Sequence, residues 1–247
     1  MSKDVGILAG VALLSGALNS VAGGGSFLTF PSLIFSGVPA IEANATSNFA
    51  LWVGTIGSAR GYKEEVREHR HLLTWPLIVS ACGSLVGALL LLRTPERTFT
   101  RLIPFLLLFA TLVFAFSPLF GRARTRARRH STLQLIAQFL TAVYGGYFGA
   151  GMGFVMLAIL AFSGLPNLNA MNAIKNVLAI AINGVALIPF IIAGIIEWPQ
   201  ALVMAVAAAI GGYFGSRIAR RVPAPVLRAG VIAIGAVMTV YFFVRKV

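Results

Sequence analysis

Two glycine clusters have the composition of a backbone anion site. Their members are Gly23, Gly24, Gly25 and Ser26 in the first cluster, and Gly149, Gly151 and Gly153 in the second. Glycine lets a backbone turn tightly and approach a ligand without a side chain in the way. Each cluster precedes a short apolar segment that we predict to be a helix, whose first N–H groups and positive dipole end favour an anion. The alternative is close helix packing, for which small residues are also typical.

Two asparagine pairs follow the glycine clusters. Within each pair the residues are four apart and share one helix face: Asn44 with Asn48, and Asn172 with Asn176. Amides in an apolar run need partners for their donors and acceptors, which favours binding of a polar ligand. Two alternatives stay open. The amides could tie helices together, or cap helices that begin near Ala43 and Met171.

Lys175 lies inside the second asparagine pair. Of the 20 basic side chains, 19 fall in or beside predicted loops, whereas Lys175 lies within the helical pattern Met171–Ile196. Charge inside a membrane is costly and usually functional, so this position predicts contact with an anion. The alternative is snorkelling, in which the long stem carries the ammonium to the membrane surface.

The other ionisable residues predict neither an enzyme nor a metal site. None of the seven acidic residues is deep in an apolar run, and His69, His71 and His130 fall in polar linkers. Two histidines on an exposed loop do not make a metal site. The sequence also has no nucleophile–base set or phosphate-binding motif. We therefore predict a non-enzymatic protein without a cofactor or metal, and a carboxylate-based proton or cation carrier has no obvious carboxylate.

Long apolar runs must position these residues. Of the 247 residues, 58% are hydrophobic and 11% are charged, which is too little charge to cover a soluble domain. Most runs approach the roughly 20 residues with which a helix crosses a hydrocarbon core of about 30 Å. The runs are Val5–Val21, Leu72–Leu92, Leu102–Phe120, Leu133–Phe148, Ile174–Ile196, Ala201–Phe214 and Val226–Val244. Because a backbone in lipid must satisfy its own hydrogen bonds, we predict an all-α integral membrane protein.

The net charge of +13 comes from basic residues in short loops. Five arginines, at positions 122, 124, 126, 128 and 129, lie in the segment between the apolar runs at mid-chain. This is the pattern of an orientation signal, with anionic membrane lipids as partners, rather than of a nucleic-acid-binding face. The single cysteine, Cys82, has no disulfide partner and is predicted to be a small packing residue.

The chain contains an internal repeat. The matched pieces, at offsets of 127 or 128 residues, are AGGGSF with GAGMGF, SGVP with SGLP, NATSN with NAIKN, and Gly83 and Gly87 with Gly211 and Gly215. Ordered matches at nearly constant spacing indicate duplication of one unit. We therefore predict a first transmembrane repeat at 1–120 and a second at 131–247. An arginine-rich cytoplasmic linker at 121–130 would join them.

Each half opens with a 32-residue element that has glycines in its middle, Val5–Ser36 and Thr132–Ser163. A continuous helix of that length would run about 48 Å, too long for a core of about 30 Å. We therefore predict a helical hairpin broken at the glycines, followed by three transmembrane helices. Because a hairpin plus three crossings is an odd count, the second half would be inverted, with the substrate site near the midplane between the repeats.

The chain resembles the TauE/SafE sulfite exporter family over nearly its whole length. The motifs that carry the resemblance are AGGGSFLTFPSL (Ala22–Leu33), NATSNFA (Asn44–Ala50), RGYK (Arg60–Lys63), NAIKNVLA (Asn172–Ala179) and GGYFGSRIARRVP (Gly211–Pro223). The resemblance implies transport of sulfite, organosulfonates or related small anions across a bacterial inner membrane, with a homo-oligomer left open. We expect an exporter. An ion-coupled importer of another organic anion and a non-transporting membrane scaffold are the alternatives.

Overall fold

The computed structural model describes residues 2–21, 23–120, 132–161, 163, 165, 167–218 and 224–244, and every regular element among them is helical. The α-helices are α1 (Ser2–Val21), α2 (Ser26–Phe35), α3 (Ala40–Ala59), α4 (Lys63–His69), α5 (Thr74–Arg93), α6 (Glu96–Phe120), α7 (Thr132–Tyr147), α8 (Met152–Ala161), α9 (Leu168–Ile192), α10 (Trp198–Ile218) and α11 (Ala224–Val244). The linker predicted at 121–130 lies outside the described residues.

The chain leaves the helical conformation at both glycine clusters. Gly23, between α1 and α2, has a φ of +82°, and Gly149 and Gly151, between α7 and α8, have φ values of +76° and +71°. Residues with a side chain rarely adopt positive φ values, so these turns require glycine. The helices that follow, α2 and α8, have ten residues each and are about 15 Å long, half the thickness of a hydrocarbon core. The hairpin model also predicts that α1 and α2, and likewise α7 and α8, enter and leave on one side of the membrane. This stays a prediction.

Three helices within the described residues are long and apolar enough to cross a membrane: Thr74–Arg93, Asn169–Ile192 and Trp198–Ser216. Helix α3 has the same length as α5 but buries a row of polar side chains, including Asn44, Ser47 and Asn48. These polar side chains lower the mean hydropathy of α3, and they are buried in the structure. Apolar length alone therefore does not identify three transmembrane helices in each half, and that count stays a prediction.

Helices of one half pack against helices of the other in matched pairs. By their order along the chain, α1, α3, α5 and α6 of the first half match α7, α9, α10 and α11 of the second. Helix α1 packs on α10, and its match α7 packs on α5; α3 contacts α10, and its match α9 contacts α5. Two matched pairs also contact each other directly, α3 with α9 and α6 with α11. Glycines allow the close approach: a Cβ added to Gly83 of α5 would lie 2.6 Å from the carbonyl oxygen of Phe139 on α7. The indole N–H of Trp52 on α3 also donates to the carbonyl of Ile180 on α9, at 3.0 Å.

The N-termini of α3 and α9 lie three residues before the positions predicted for them. Helix α3 begins at Ala40, whose N–H donates to the Glu96 carboxylate at the start of α6. Helix α9 begins at Leu168, and its N-cap is Asn167, whose Oδ1 accepts from the N–H of Ala170 at 2.9 Å. The asparagines at positions 44 and 172 therefore lie inside their helices. The capping alternative for them is wrong.

Two further expectations need correction. Cys82 is exposed on the surface of α5, so it is not a packing residue in the protein interior. The two neighbouring histidines are not in an open loop, because His69 ends the short helix α4 and His71 lies in the 3-10 helix Arg70–Leu72 that follows. His69 is buried, with its Nδ1 3.0 Å from the carbonyl oxygen of Glu65. No group of three or more potential metal ligands occurs in the part of the chain that the structure describes.

Candidate functional site

A small polar cavity lies between the two halves of the chain. Its volume is about 30 Å³, enough for a few atoms, since a single water needs about 10–15 Å³ on this measure. The first half contributes Asn19, Gly23, Ser26, Asn44, Ser47, Asn48 and Leu51, and the second contributes Phe148, Gly149, Met152, Gly153, Lys175, Asn176, Ala179 and Asn183. Eight of the twelve predicted site residues therefore lie around one cavity.

Lys175 is the single charged residue in this lining. Its side chain is 1% exposed, and its Nζ donates to the backbone carbonyl oxygen of Asn19 at 3.2 Å. Asn19 belongs to the last turn of α1, and its carbonyl oxygen also accepts from the N–H of Gly23 at 3.1 Å. The ammonium therefore lies inside the protein at the end of α1, not on the protein surface. This position excludes the snorkelling alternative.

The asparagines divide into bonded and unbonded side chains. Asn44 Nδ2 donates to the carbonyl oxygen of Tyr147, the last residue of α7, at 3.1 Å. In contrast, Asn48 Oδ1 and both amide atoms of Asn176 are buried without a hydrogen-bond partner. Buried polar groups without partners are rare and costly, so their concentration at a cavity favours a polar ligand there. Asn172 Oδ1 is also unpartnered, but Asn172 does not line the cavity.

The two glycine clusters touch each other beside the cavity. A Cβ added to Gly23 would lie 2.6 Å from the Cα of Gly153, and a Cβ added to Gly153 would lie 2.6 Å from the Cα of Gly23. Phe27 and Phe154, on the two short helices that follow, stack with ring centroids 6.5 Å apart. The contact brings the N-termini of α2 and α8 to one place, although they are far apart in sequence.

Three of the predicted glycines do not line the cavity. Gly24 and Gly25 are buried away from the cavity, and Gly25 lies against the carbonyl oxygen of Ser15 on α1. Gly151 lies against Ala110 of α6, where an added Cβ would come within 2.7 Å of the alanine Cβ. For Gly25 and Gly151, the geometry agrees with the close-packing alternative.

Three polar residues of the lining were not predicted from the sequence: Asn19, Ser47 and Asn183. Asn183 had a readable signal, because it is seven residues after Asn176 and so lies on the same face of α9. Ser47 occupies the position that matches Lys175 at the 128-residue offset of the repeat. Its hydroxyl oxygen lies 2.6 Å from that of Thr29 on α2. The cation is thus present in only one of the two matched positions.

The arrangement has the chemistry of an anion site. It combines one ammonium, several amides and the N-terminal ends of two short helices, whose dipoles favour negative charge. No carboxylate lines the cavity, so a bound cation would have no counter-charge and would be repelled by Lys175. A buried ammonium is costly alone, and a bound anion would neutralise it.

Long apolar helices around a small polar cavity are the architecture of a membrane transporter. Known proteins agree with this class. "Probable membrane transporter protein YfcA" of Escherichia coli strain K12 is 28% identical over 237 residues, which cover 95% of this chain and 88% of the relative. "Probable membrane transporter protein ORF9" of Sinorhizobium sp is 27% identical, covering 93% and 88%. A "Probable membrane transporter protein" of Haemophilus influenzae is 28% identical, covering 94% and 92%.

The family model named "Sulfite exporter TauE/SafE" matches residues 8–242. The chain therefore belongs to the TauE/SafE sulfite exporter family, as its motifs predicted. This is a family of membrane transporters rather than enzymes. No solved structure gives a significant match.

Proposed function

We propose that the chain exports a small sulfur-containing anion, sulfite or an organosulfonate, across the bacterial inner membrane. The observation that carries the proposal is the burial of Lys175 beside unpartnered asparagine amides in a cavity without a carboxylate. A sulfur oxyanion suits these groups, because its oxygens accept from the ammonium and amide N–H groups while its charge offsets the buried cation.

In this proposal the two halves are inverted repeats, and the anion binds between them near the middle of the membrane. Three features support this arrangement: the matched helix contacts, the lining drawn from both halves, and the meeting of both glycine breaks at the cavity. Transporters built from inverted repeats move one repeat against the other around a central site. The contact between Gly23 and Gly153 is then one of those that must open.

Export needs no coupling ion in this account. An inside-negative membrane potential drives each negative charge outward with about 2.3 kcal/mol per 100 mV. Among the residues lining the cavity there is no acidic side chain that could carry a proton or bind sodium. We therefore propose a uniporter for the anion rather than an ion-coupled importer, with membrane lipids as its surroundings.

Flux into liposomes with a panel of substrates tests the proposal. Purified protein is reconstituted, and uptake of labelled sulfite, methanesulfonate, sulfate and acetate is compared with uptake by protein-free liposomes. We expect protein-dependent flux of sulfite or the sulfonate that exceeds acetate flux and needs no proton or sodium gradient. Flux that requires such a gradient would favour the ion-coupled importer, and no flux of any anion would favour the scaffold.

A further inference from the structure

The balance of charge in the cavity limits the form of the anion that it can hold. Lys175 supplies one positive charge, and every other residue of the lining is neutral. A singly charged anion makes the buried site neutral, whereas a doubly charged anion leaves one negative charge uncompensated inside the protein. Burial of an uncompensated charge is strongly unfavourable.

The unpartnered amides point to a ligand that donates a hydrogen bond as well as accepting one. Both amide atoms of Asn176 lack a partner, so its oxygen needs a donor whichever way the amide group is turned. Asn48 Oδ1 lies in the same lining and also lacks a donor. Lys175 is the one cationic donor in this lining, and one of its three N–H groups donates to the carbonyl oxygen of Asn19.

The cavity is also small. A volume of about 30 Å³ suits an ion of a few heavy atoms better than one with an organic substituent. From these three features we infer that the site selects hydrogensulfite, the singly charged form that carries a hydroxyl group, over doubly charged sulfite and over sulfonates without a hydroxyl group. The inference rests on the proposed function and specifies its substrate. Asn176 and Asn48 are the residues that would accept from the hydroxyl group.

The charge of the transported ion is obtained from the null potential, which is the membrane potential at which net efflux of the ion stops. Proteoliposomes are loaded with ten times more total sulfite than the outside medium, at the same near-neutral pH on both sides, where both forms are abundant. The potential is clamped with potassium and valinomycin, and the inside-positive value that stops net protein-dependent efflux is found. A tenfold gradient of a singly charged ion is balanced at about 59 mV, and that of a doubly charged ion at about 30 mV.

A null potential near 59 mV supports the inference. A value near 30 mV would overturn it while leaving anion transport intact. Efflux that does not respond to the potential would mean that the anion does not move alone, and would also overturn it. Efflux no greater than from protein-free liposomes would refute the proposed function itself, and with it the inference.

The recognition of the hydroxyl group is tested through Asn176. The flux ratio of sulfite to methanesulfonate, a singly charged sulfonate without a hydroxyl group, is measured for wild type and Asn176→Leu. We expect the ratio to fall about five-fold or more, because the variant loses the acceptor that only the hydroxyl form satisfies. Asn169→Leu, on the same helix but outside the cavity lining, is the matched control and should keep the wild-type ratio.

Equal losses of sulfite and methanesulfonate flux in Asn176→Leu would assign the residue a structural role and overturn its part in selection. Asn48→Leu provides a second variant with the same expected change, should Asn176→Leu not reach the liposomes. The null potential of the wild-type protein decides the charge of the ion without any variant.

Discussion

Replacement of Lys175 by glutamine separates binding of an anion from a packing role. The side chain is 1% exposed, and no carboxylate shares its cavity, so its charge is available to a ligand. Loss of one partner from a buried charge pair costs about 2–5 kcal/mol, which weakens anion binding by about 30-fold to 4,000-fold. The free protein should lose no stability, because removal of an uncompensated buried cation is neutral or stabilising. Lys175→Arg should keep some transport with altered selectivity, since a planar guanidinium presents its donors differently.

Both quantities are measured on the same preparations. Apparent affinity for sulfite comes from flux in liposomes at matched protein incorporation, and stability comes from thermal unfolding in detergent without anion. Lys63→Gln, which removes the same charge from an exposed position on α4, is the matched control and should behave as wild type. Wild-type affinity in Lys175→Gln would refute the reasoning. A large loss of stability with unchanged affinity would also refute it, because Lys175 would then stabilise the fold rather than bind the anion.

Three further predictions concern the framework of the site. Gly23→Ala should abolish transport, because its Cβ would meet the Cα of Gly153 at 2.6 Å, whereas Gly37→Ala, with a similar φ but open space, should cost only about 1 kcal/mol of thermal stability. Equal effects of the two changes would remove the role of the glycine contact. Glu96→Gln should destabilise the protein by about 1 kcal/mol in unfolding experiments, because the capping carboxylate at the start of α3 becomes a neutral amide. An unchanged unfolding midpoint would contradict this. With the native cysteine replaced by alanine, a single cysteine at Pro95 should react with impermeant reagent from outside the cell, and labelling from the cytoplasm instead would contradict the inverted arrangement.

The local features of the fold followed from residue types. Breaks at the glycine clusters were predictable because a 32-residue helix is too long for a membrane and glycine alone tolerates the turns. The burial of Lys175 was predictable from its position in an apolar run, where charge needs a function. These predictions depend on geometry within ten to thirty residues of chain. Contacts such as that between α1 and α10 depend on how the two halves meet, and nothing in local periodicity contains that information.

In the candidate site too, local features were predictable from the sequence and tertiary contacts were not. Helical periodicity placed Asn172, Lys175 and Asn176 on neighbouring positions of one helix, but it could not define where the cavity ends. On this helix the lining continues from Asn176 to Ala179 and Asn183, but it does not include Asn172, which lies one turn before Asn176. The glycine clusters likewise contain both cavity and packing positions, because the neighbour of each glycine is set by tertiary contacts such as that between Gly151 and Ala110.

The most direct test of the central claim is efflux of labelled sulfite from proteoliposomes under an imposed membrane potential, with no proton or sodium gradient. The account predicts protein-dependent efflux that rises as the inside is made more negative, with about 2.3 kcal/mol of driving force per charge for each 100 mV. It also predicts that Lys175→Gln abolishes most of this efflux at low sulfite concentration. Efflux equal to that from protein-free liposomes, or efflux that is the same in wild type and Lys175→Gln, would contradict transport of an anion through this cavity.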